Sequence, residues 1–456
     1  MIETDKGLKI PVCINDAYVE GATMCMLPFI HMHTWPHGQV FPCCVYDWRF
    51  ELGNVNDTNT SLETMFNNKK MKVLRKQLVD GKKPYGCRKC FEQEEEGIHS
   101  FRLSANERHH TKHVDVVHKA IENNYNINDF HLYYWDFRVD NLCNMTCRSC
   151  GPELSSKWHD DYYELHHDDD YKMKVGNKGG LISLKGKGLQ EVHDIIDRDI
   201  DTVDHVYFAG GEPLINDMHY YILDKLIEHK RFDVEVYYNT NLLHLNYKKH
   251  NLIDLWSKFD KVEVAASIDA IGPRAEYLRH GTNWKKINGN LKTMLANKHI
   301  GFRVTPVISL FNALHMPDYI DHMMDLGFAC WQISMGNVLI NPEPYALAML
   351  PDHLKDQVRK TYDKFLEDKK GVYGERTLSD FRHKFESIIN YLDASLGHQG
   401  THEEMARRFI YMTRVLDKVR RENFVETYPE LKDYWDACLE ETDPDNLDPE
   451  SDLFYF

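Results

Sequence analysis

The chain has 456 residues, 42% of them hydrophobic, with 8 Trp, 21 Phe and 25 Tyr. That is enough apolar mass for two or three domains, and it excludes an intrinsically disordered chain. Acidic residues outnumber basic ones by 71 to 55 for a net charge of −16, which argues against a nucleic-acid binder working through a basic face. No apolar run approaches the roughly 20 residues of a membrane span. The start Met1-Ile2-Glu3-Thr4-Asp5-Lys6 lacks the basic and apolar stretches of a signal peptide, so a cytoplasmic protein without a membrane partner is expected.

The first hundred residues are rich in turns and hold Cys25, Cys43, Cys87 and Cys90. Leu62, Met65, Phe66, Met71, Leu74 and Leu78 recur near helical spacing, predicting one amphipathic helix from Leu62 to Asp80 that Gly81 ends. Residues 113–124 read as a connecting helix. From about residue 131, short β-branched or aromatic runs alternate with helical stretches. Strands are expected at 131–139, 205–209, 234–238, 262–268, 302–308 and 329–333. Helices are expected between them at 218–229, 252–258, 284–297 and 316–326. Such alternation means βαβ units and a parallel sheet. Six units are too few for a closed eight-fold barrel, so the expected fold is α/β with a partial (β/α)6 TIM-like barrel. Beyond about Leu350 the pattern is helical, at 352–369, 379–395, 402–422 and 429–440. An acidic tail follows, which Leu453, Phe454 and Phe456 alone are suited to dock.

Eleven cysteines in such a chain point to metal or redox chemistry rather than disulfides when they cluster at short spacings. Cys143, Cys147 and Cys150 follow directly on the first of the six strands with the spacing Cys-x3-Cys-x2-Cys. Three close thiolates suit an iron–sulfur cluster with one iron left without a protein ligand; a zinc site is the alternative for the motif taken alone. Cys13, Cys44, Cys330 and Cys438 read as small buried hydrophobes.

The cysteine motif and the strand ends after it resemble the radical SAM superfamily. Ala209-Gly210-Gly211-Glu212-Pro213-Leu214 after the second strand matches its GGEP motif. Asn239-Thr240-Asn241 after the third is similar to its T-N-G segment, with Leu242 in place of the usual Gly. The fourth strand carries Ser267-Ile268-Asp269, and Arg279-His280-Gly281 follows ten residues on. The resemblance covers roughly residues 131–340. It implies a [4Fe–4S] cluster on Cys143, Cys147 and Cys150 whose open iron takes S-adenosylmethionine. It further implies reductive cleavage to a 5′-deoxyadenosyl radical that abstracts hydrogen from a substrate. Gly210 and Gly211 would let the backbone approach the methionine moiety, Glu212 would accept from its amino group, and Arg279 would pair with its carboxylate. Ser267, Asp269 and Asn239 or Asn241 would bind ribose hydroxyls. Many relatives have an aromatic residue before the third cysteine; here Ser149 stands there, which puts the local adenine contact in doubt, and Arg148 is placed to pack over the cluster or a carboxylate.

The N-terminal run of Cys25, then Gly38 to Cys43, then Cys87-Arg88-Lys89-Cys90 resembles the auxiliary-cluster modules called twitch or SPASM domains. Cys25, Cys43, Cys87 and Cys90 would fully ligate a second [4Fe–4S] cluster suited to electron transfer. A four-cysteine zinc site remains the alternative. The spacing supports one cluster, hence the shorter twitch type, and the module precedes the barrel where many relatives have it follow. Adjacent Cys44 is a substitute ligand, with Cys43 preferred. His31 and His33 read as strand residues, exposed or packed, rather than site groups. The acidic runs 94–96 and 168–170 read as solvated faces, and 176–188 as a flexible loop.

The expected division is a cluster domain at 1–110, a linker helix at 111–130, the partial barrel at 131–340 and a helical region at 341–456. The expected activity is that of a radical SAM oxidoreductase or peptide- or protein-modifying maturase, with a reductant such as flavodoxin or ferredoxin as partner. A small alcohol, sugar or nucleoside is the alternative substrate. A non-enzymatic zinc or iron–sulfur binding module is the alternative of another class. No catalytic acid or base is assigned.

Overall fold

The computed structural model describes residues 2–3, 9–10, 23–95, 99–166, 180–392, 401–440 and 442. Cys13, Glu96, the acidic run 168–170, the first part of the 176–188 loop and the docking residues Leu453, Phe454 and Phe456 lie outside them. Two compact units are built from interleaved stretches of chain. The first takes residues 1–140, 183–208 and 218–236; the second takes 141–182, 209–217 and 237–456.

In the first unit, five strands lie in the order His205–Phe208, Tyr134–Phe137, His31–Thr34, Gln39–Phe41, Gly53–Asn54. The first three are mutually parallel, with His31 opposite Tyr134 and Tyr134 opposite His205. Gln39–Phe41 then turns back antiparallel on His31–Thr34. The hairpin needs Gly38: its φ is +96°, and a Cβ there would stand 2.3 Å from Asn54 Oδ1. The expected single helix from Leu62 to Asp80 is two helices, Leu62–Phe66 and Lys69–Val79. The apolar period runs on unbroken, but the Asn68 side chain accepts from Met71 N and starts the second helix afresh. The connecting helix begins earlier than its sequence pattern, at Phe101, and runs to Glu122.

In the second unit, the strand Glu235–Thr240 from Tyr237 onward, Val262–Ala266 and Ile300–Val304 are neighbours in that order. The last two run parallel, with Val262 opposite Ile300 and Ala266 opposite Val304. Helices Trp284–Ala296 and Met316–Leu326 stand where expected. The sixth strand does not form. Residues 330–332 make a 3-10 turn, and only Ile333 bridges to Val304. Here Gln332 is diverted, its side chain donating to Phe302 O at 2.7 Å and accepting from Ala329 N at 2.9 Å. The parallel strands with helices give the α/β class. The C-terminal helices Asp352–Asp368, Glu375–Leu392, His402–Arg420 and Lys432–Glu440 agree with the expected helical region. Among the described residues no helix is long and apolar enough to cross a membrane.

Candidate functional site

The second unit builds a cysteine loop from the backbone outward. Cys147 lies in the short strand Thr146–Cys147, which pairs antiparallel with Arg279–His280 so that Arg279 stands opposite Cys147. That register brings Arg279 Nη1 to 3.6 Å from Cys147 Sγ, while Nε and Nη2 donate to the two Asp269 carboxylate oxygens at 2.8 and 3.0 Å. Trp158 Nε1 donates to Cys147 O at 3.0 Å. Cys143, Cys147 and Cys150 are all free thiols. Burial pushes all three pKa values up, Cys150 to about 12, and negative charge on Cys147 adds to the rise at Cys143 and Cys150. Without a cation these thiols stay protonated; a metal centre must displace the protons to bind.

The GGEP segment closes on the same loop. Glu212 N donates to Leu142 O at 2.7 Å. A Cβ on Gly211 would stand 2.2 Å from that carbonyl oxygen, so the close approach requires glycine. Gly210 has φ +109°. The buried Glu212 carboxylate accepts from Thr240 Oγ1 at 2.6 Å and Leu214 N at 3.1 Å on one oxygen, and from Asn241 N at 2.8 Å on the other. Burial raises its pKa to about 7 against those hydrogen bonds. Asn241 Nδ2 in turn donates to Asn144 Oδ1, between the first two cysteines, at 2.8 Å.

The expected site residues thus fall into groups. Gly211, Glu212 and Asn241 brace the cysteine loop. Asp269 and Arg279, given to different parts of the ligand by the resemblance, bind each other, and Asp269 also accepts from Val307 N at 2.9 Å. Ser267 donates its N–H to Thr240 O at 2.8 Å and is half-buried, as is Asn239 on the Glu235–Thr240 strand. Arg148 is buried and takes carboxylates: Nη2 donates to Asp417 at 2.5 Å and to Glu422 at 2.8 Å, and the guanidinium lies 3.8 Å from the Tyr277 ring centroid. Arg148, Ser149, Asp269 and Tyr345 line a small pocket. Thr240, Asn144, Asp417 and Glu422 were not singled out from the sequence. Thr240 stood inside a quoted motif; nothing in local pattern links Asp417 to a residue 269 positions away.

The first unit gathers the other four cysteines. Cys25 precedes helix Leu27–Ile30, Cys43 follows strand Gln39–Phe41, Cys87 ends a 3-10 turn and Cys90 lies in helix Arg88–Glu95. Helix Phe101–Glu122 pins the residues flanking Cys25. Asn106 accepts from Met26 N and donates to Met24 O, each at 2.8 Å, and Arg102 donates to Met24 O at 2.7 Å. Burial raises all four thiol pKa values, Cys25 to about 12, and Cys43 feels the charge of Cys25, Cys87 and Cys90. Cys44 is raised by burial and by Asp136, with Arg138 and Lys89 opposing. His31 and His33 are fully buried; His31 Nδ1 lies 3.0 Å from Tyr134 O and His33 Nδ1 2.8 Å from Asp136 Oδ2.

Both donor sets fit a cluster better than a single ion. Four thiolates around one tetrahedral zinc stand about 3.8 Å apart. Among the described residues, no three cysteine sulfurs lie within 4.8 Å of one another. A multi-iron cluster holds its thiolates at wider spacing, each on a different iron.

Residues 25–91 match the family model of SPASM, an iron–sulfur cluster-binding domain. The chain carries a SPASM-like domain. The match covers Cys25, Cys43, Cys87 and Cys90 and bears out the N-terminal SPASM-like domain expected from the sequence. Among curated proteins, the RNA-directed RNA polymerase of a human Rotavirus C isolate is 33% identical over 107 residues, 22% of this chain. The chain spans about a tenth of that protein's length, 10%. Among solved structures, native anSMEcpe with bound AdoMet is 17% identical, with TM-score 0.32 over 52% of this chain and 59% of that one. Streptococcus suis SuiB bound to S-adenosylmethionine is 14% identical, with TM-score 0.33 over 65% of this chain and 64% of that one. The chain therefore covers less than two thirds of either. Likenesses this weak carry no argument about activity.

Proposed function

We propose that the chain is a radical SAM enzyme that modifies a peptide or protein side chain. Cys143, Cys147 and Cys150 hold a [4Fe–4S] cluster with an open iron for S-adenosylmethionine, and Cys25, Cys43, Cys87 and Cys90 hold a second [4Fe–4S] cluster for electron transfer. When bound, the first cluster and S-adenosylmethionine supply the radical that removes hydrogen from a substrate carbon. One observation carries the reading: three motifs far apart in sequence are built into one loop. Arg279 pairs opposite Cys147, and Glu212 donates its N–H to Leu142 while its carboxylate holds Thr240 and Asn241.

The protein's own residues then have distinct tasks. Arg279 directs an N–H at Cys147 sulfur, a charge-assisted bond once that sulfur is a thiolate. Glu212, Thr240 and Asn241 fix the loop's shape through Asn144. Arg148, tied to Asp417 and Glu422, anchors the C-terminal segment beside Ser149 and excludes water from that side. The peptide or protein substrate rests on the SPASM match, because auxiliary-cluster relatives often modify peptides; a flavodoxin- or ferredoxin-type protein is the proposed reductant.

The test is anaerobic reconstitution. The protein should be brown, with about eight irons per chain for two [4Fe–4S] clusters, and after reduction should release 5′-deoxyadenosine from S-adenosylmethionine. Colourless, zinc-loaded protein that leaves S-adenosylmethionine intact would refute the enzyme reading. Incubation with candidate peptides deuterated at one side-chain position, followed by mass analysis of the 5′-deoxyadenosine, tests the substrate class.

A further inference from the structure

We infer that the first unit contains a third metal site, a zinc site made by His109, His113 and Asp204 that involves none of the cysteines. His109 and His113 stand four residues apart on helix Phe101–Glu122, so both rings leave the same helix face. Asp204 immediately precedes the strand His205–Phe208, and its N–H donates to Tyr133 O at 3.0 Å. One ring nitrogen from each histidine and one Asp204 oxygen all lie within 4.8 Å of one another.

Two features point to a ligand rather than to a closed polar network. His109 Nδ1 and Asp204 Oδ1 are both buried and have no hydrogen-bond partner. They face each other across 3.8 Å, too far for a hydrogen bond. Ligands of one zinc ion, each about 2.0–2.1 Å from the metal, stand about 3.4 Å apart at the tetrahedral angle, so the gap is close to that of two ligands awaiting an ion. Leaving two such atoms unsatisfied in the interior costs free energy that metal binding would recover.

The surroundings favour an ion with imidazole ligands. His109 is 1% exposed, and its ring stacks on Tyr134 at 5.4 Å and meets His205 edge-on at 5.5 Å. The His113 ring lies 4.3 Å from that of Tyr133. The rings of Tyr133, Tyr134 and His205 thus hold both histidines in orientation before any metal arrives. His113 Nε2 already reaches Asp204 Oδ2 at 2.7 Å. Lys112 Nζ also approaches that oxygen, at 3.3 Å, but its side chain is 58% exposed and swings into water at little cost. Two imidazoles and a carboxylate are a zinc donor set of three, leaving a fourth position for water. Bound there, the ion would tie the long helix that positions Cys25 to the segment just before the strand His205–Phe208.

The test is metal analysis of the full, anaerobically reconstituted protein after equilibration with micromolar zinc and desalting. Wild type should retain one zinc per chain in addition to its iron. His109→Gln with His113→Gln should lose that zinc and keep the iron, and the isosteric Asp204→Asn should weaken zinc retention at least tenfold. Added zinc should raise the melting temperature of wild type and leave that of Asp204→Asn unchanged. Should the double variant lose its iron through misfolding, Asp204→Asn and the zinc-dependent melting of wild type decide. Absence of zinc from wild type, equal zinc in wild type and Asp204→Asn, or the same zinc-induced melting shift in both would overturn the site.

Discussion

Gly211→Ala probes the packing on which the three-cysteine loop depends. Gly211 does not have a positive φ, so alanine brings no backbone strain there; its only effect is steric. The added Cβ would sit 2.2 Å from Leu142 O, 2.8 Å from Leu142 C and 2.9 Å from Asn141 C. The nearest approach real Cβ atoms show is about 3.0 Å, so the two backbones must part by roughly 0.8 Å. Both clashing groups are main chain, and the Glu212 N to Leu142 O hydrogen bond of 2.7 Å lies at the same contact. Overpacking of this kind costs about 1–3 kcal/mol, and losing the hydrogen bond adds about 1 kcal/mol. Because Leu142 adjoins Cys143, the displacement should appear in the cluster as well as in the melting temperature. Iron should fall from about eight toward four per chain as the first-unit cluster survives, and release of 5′-deoxyadenosine should fall at least tenfold. Gly289→Ala is the control: it lies within helix Trp284–Ala296 with nothing within 4 Å of its Cβ. It should stabilise the protein by about 1 kcal/mol with no change in iron. If Gly211→Ala matched wild type in melting, iron and turnover, the close packing of the GGEP segment on the cysteine loop would be wrong.

Three further outcomes are expected. Replacing Cys87 and Cys90 with Ala should remove the iron of the first unit and leave S-adenosylmethionine cleavage by the other cluster; loss of all cleavage in stable protein would contradict two separate clusters. Arg279→Met should cost about 3–5 kcal/mol in urea unfolding, because Asp269 is left buried without its cation, whereas Arg279→Lys keeps the charge, loses the two-pronged contact and should fall between the two. The Glu212 carboxyl has its folded-state pKa raised by burial from 4.5 to about 7, so the folded state holds that proton more tightly than the unfolded state does. Its contribution to the stability of iron-free protein is therefore greatest below about pH 4.5 and falls by about 3 kcal/mol as pH rises to about 7. Glu212→Gln should remove that slope from pH-dependent urea unfolding curves, and an unchanged slope would refute the assignment.

Short-range chemistry was legible in the sequence. Strand cores such as Val262–Ala266, helices such as Met316–Leu326 and the C-terminal helices follow from apolar spacing, because their burial faces are set by local periodicity. Where a side chain competes for the backbone the period misleads: Asn68 divides one apparent helix into two, and Gln332 takes the hydrogen bonds that a sixth strand would need. Cysteine spacing likewise marked the segment that matches the SPASM model and the loop that carries Cys143, Cys147 and Cys150, since ligands must be near in sequence or held by a hairpin to reach one cluster.

What the sequence by itself determined is the donor chemistry: which cysteines are grouped, which glycines stand at strand ends, and that the parallel strands make an α/β protein. Only the tertiary structure decided who holds whom. Arg279 and Asp269 bind each other, Glu212 is consumed in bracing Thr240 and Asn241, and Arg148 finds its carboxylates on Asp417 and Glu422. The physical reason is that a charged or polar group buried in the interior takes the nearest complementary partner the fold provides. That partner is fixed by strand register and helix packing over tens to hundreds of residues, a distance at which spacing in the sequence no longer carries the information.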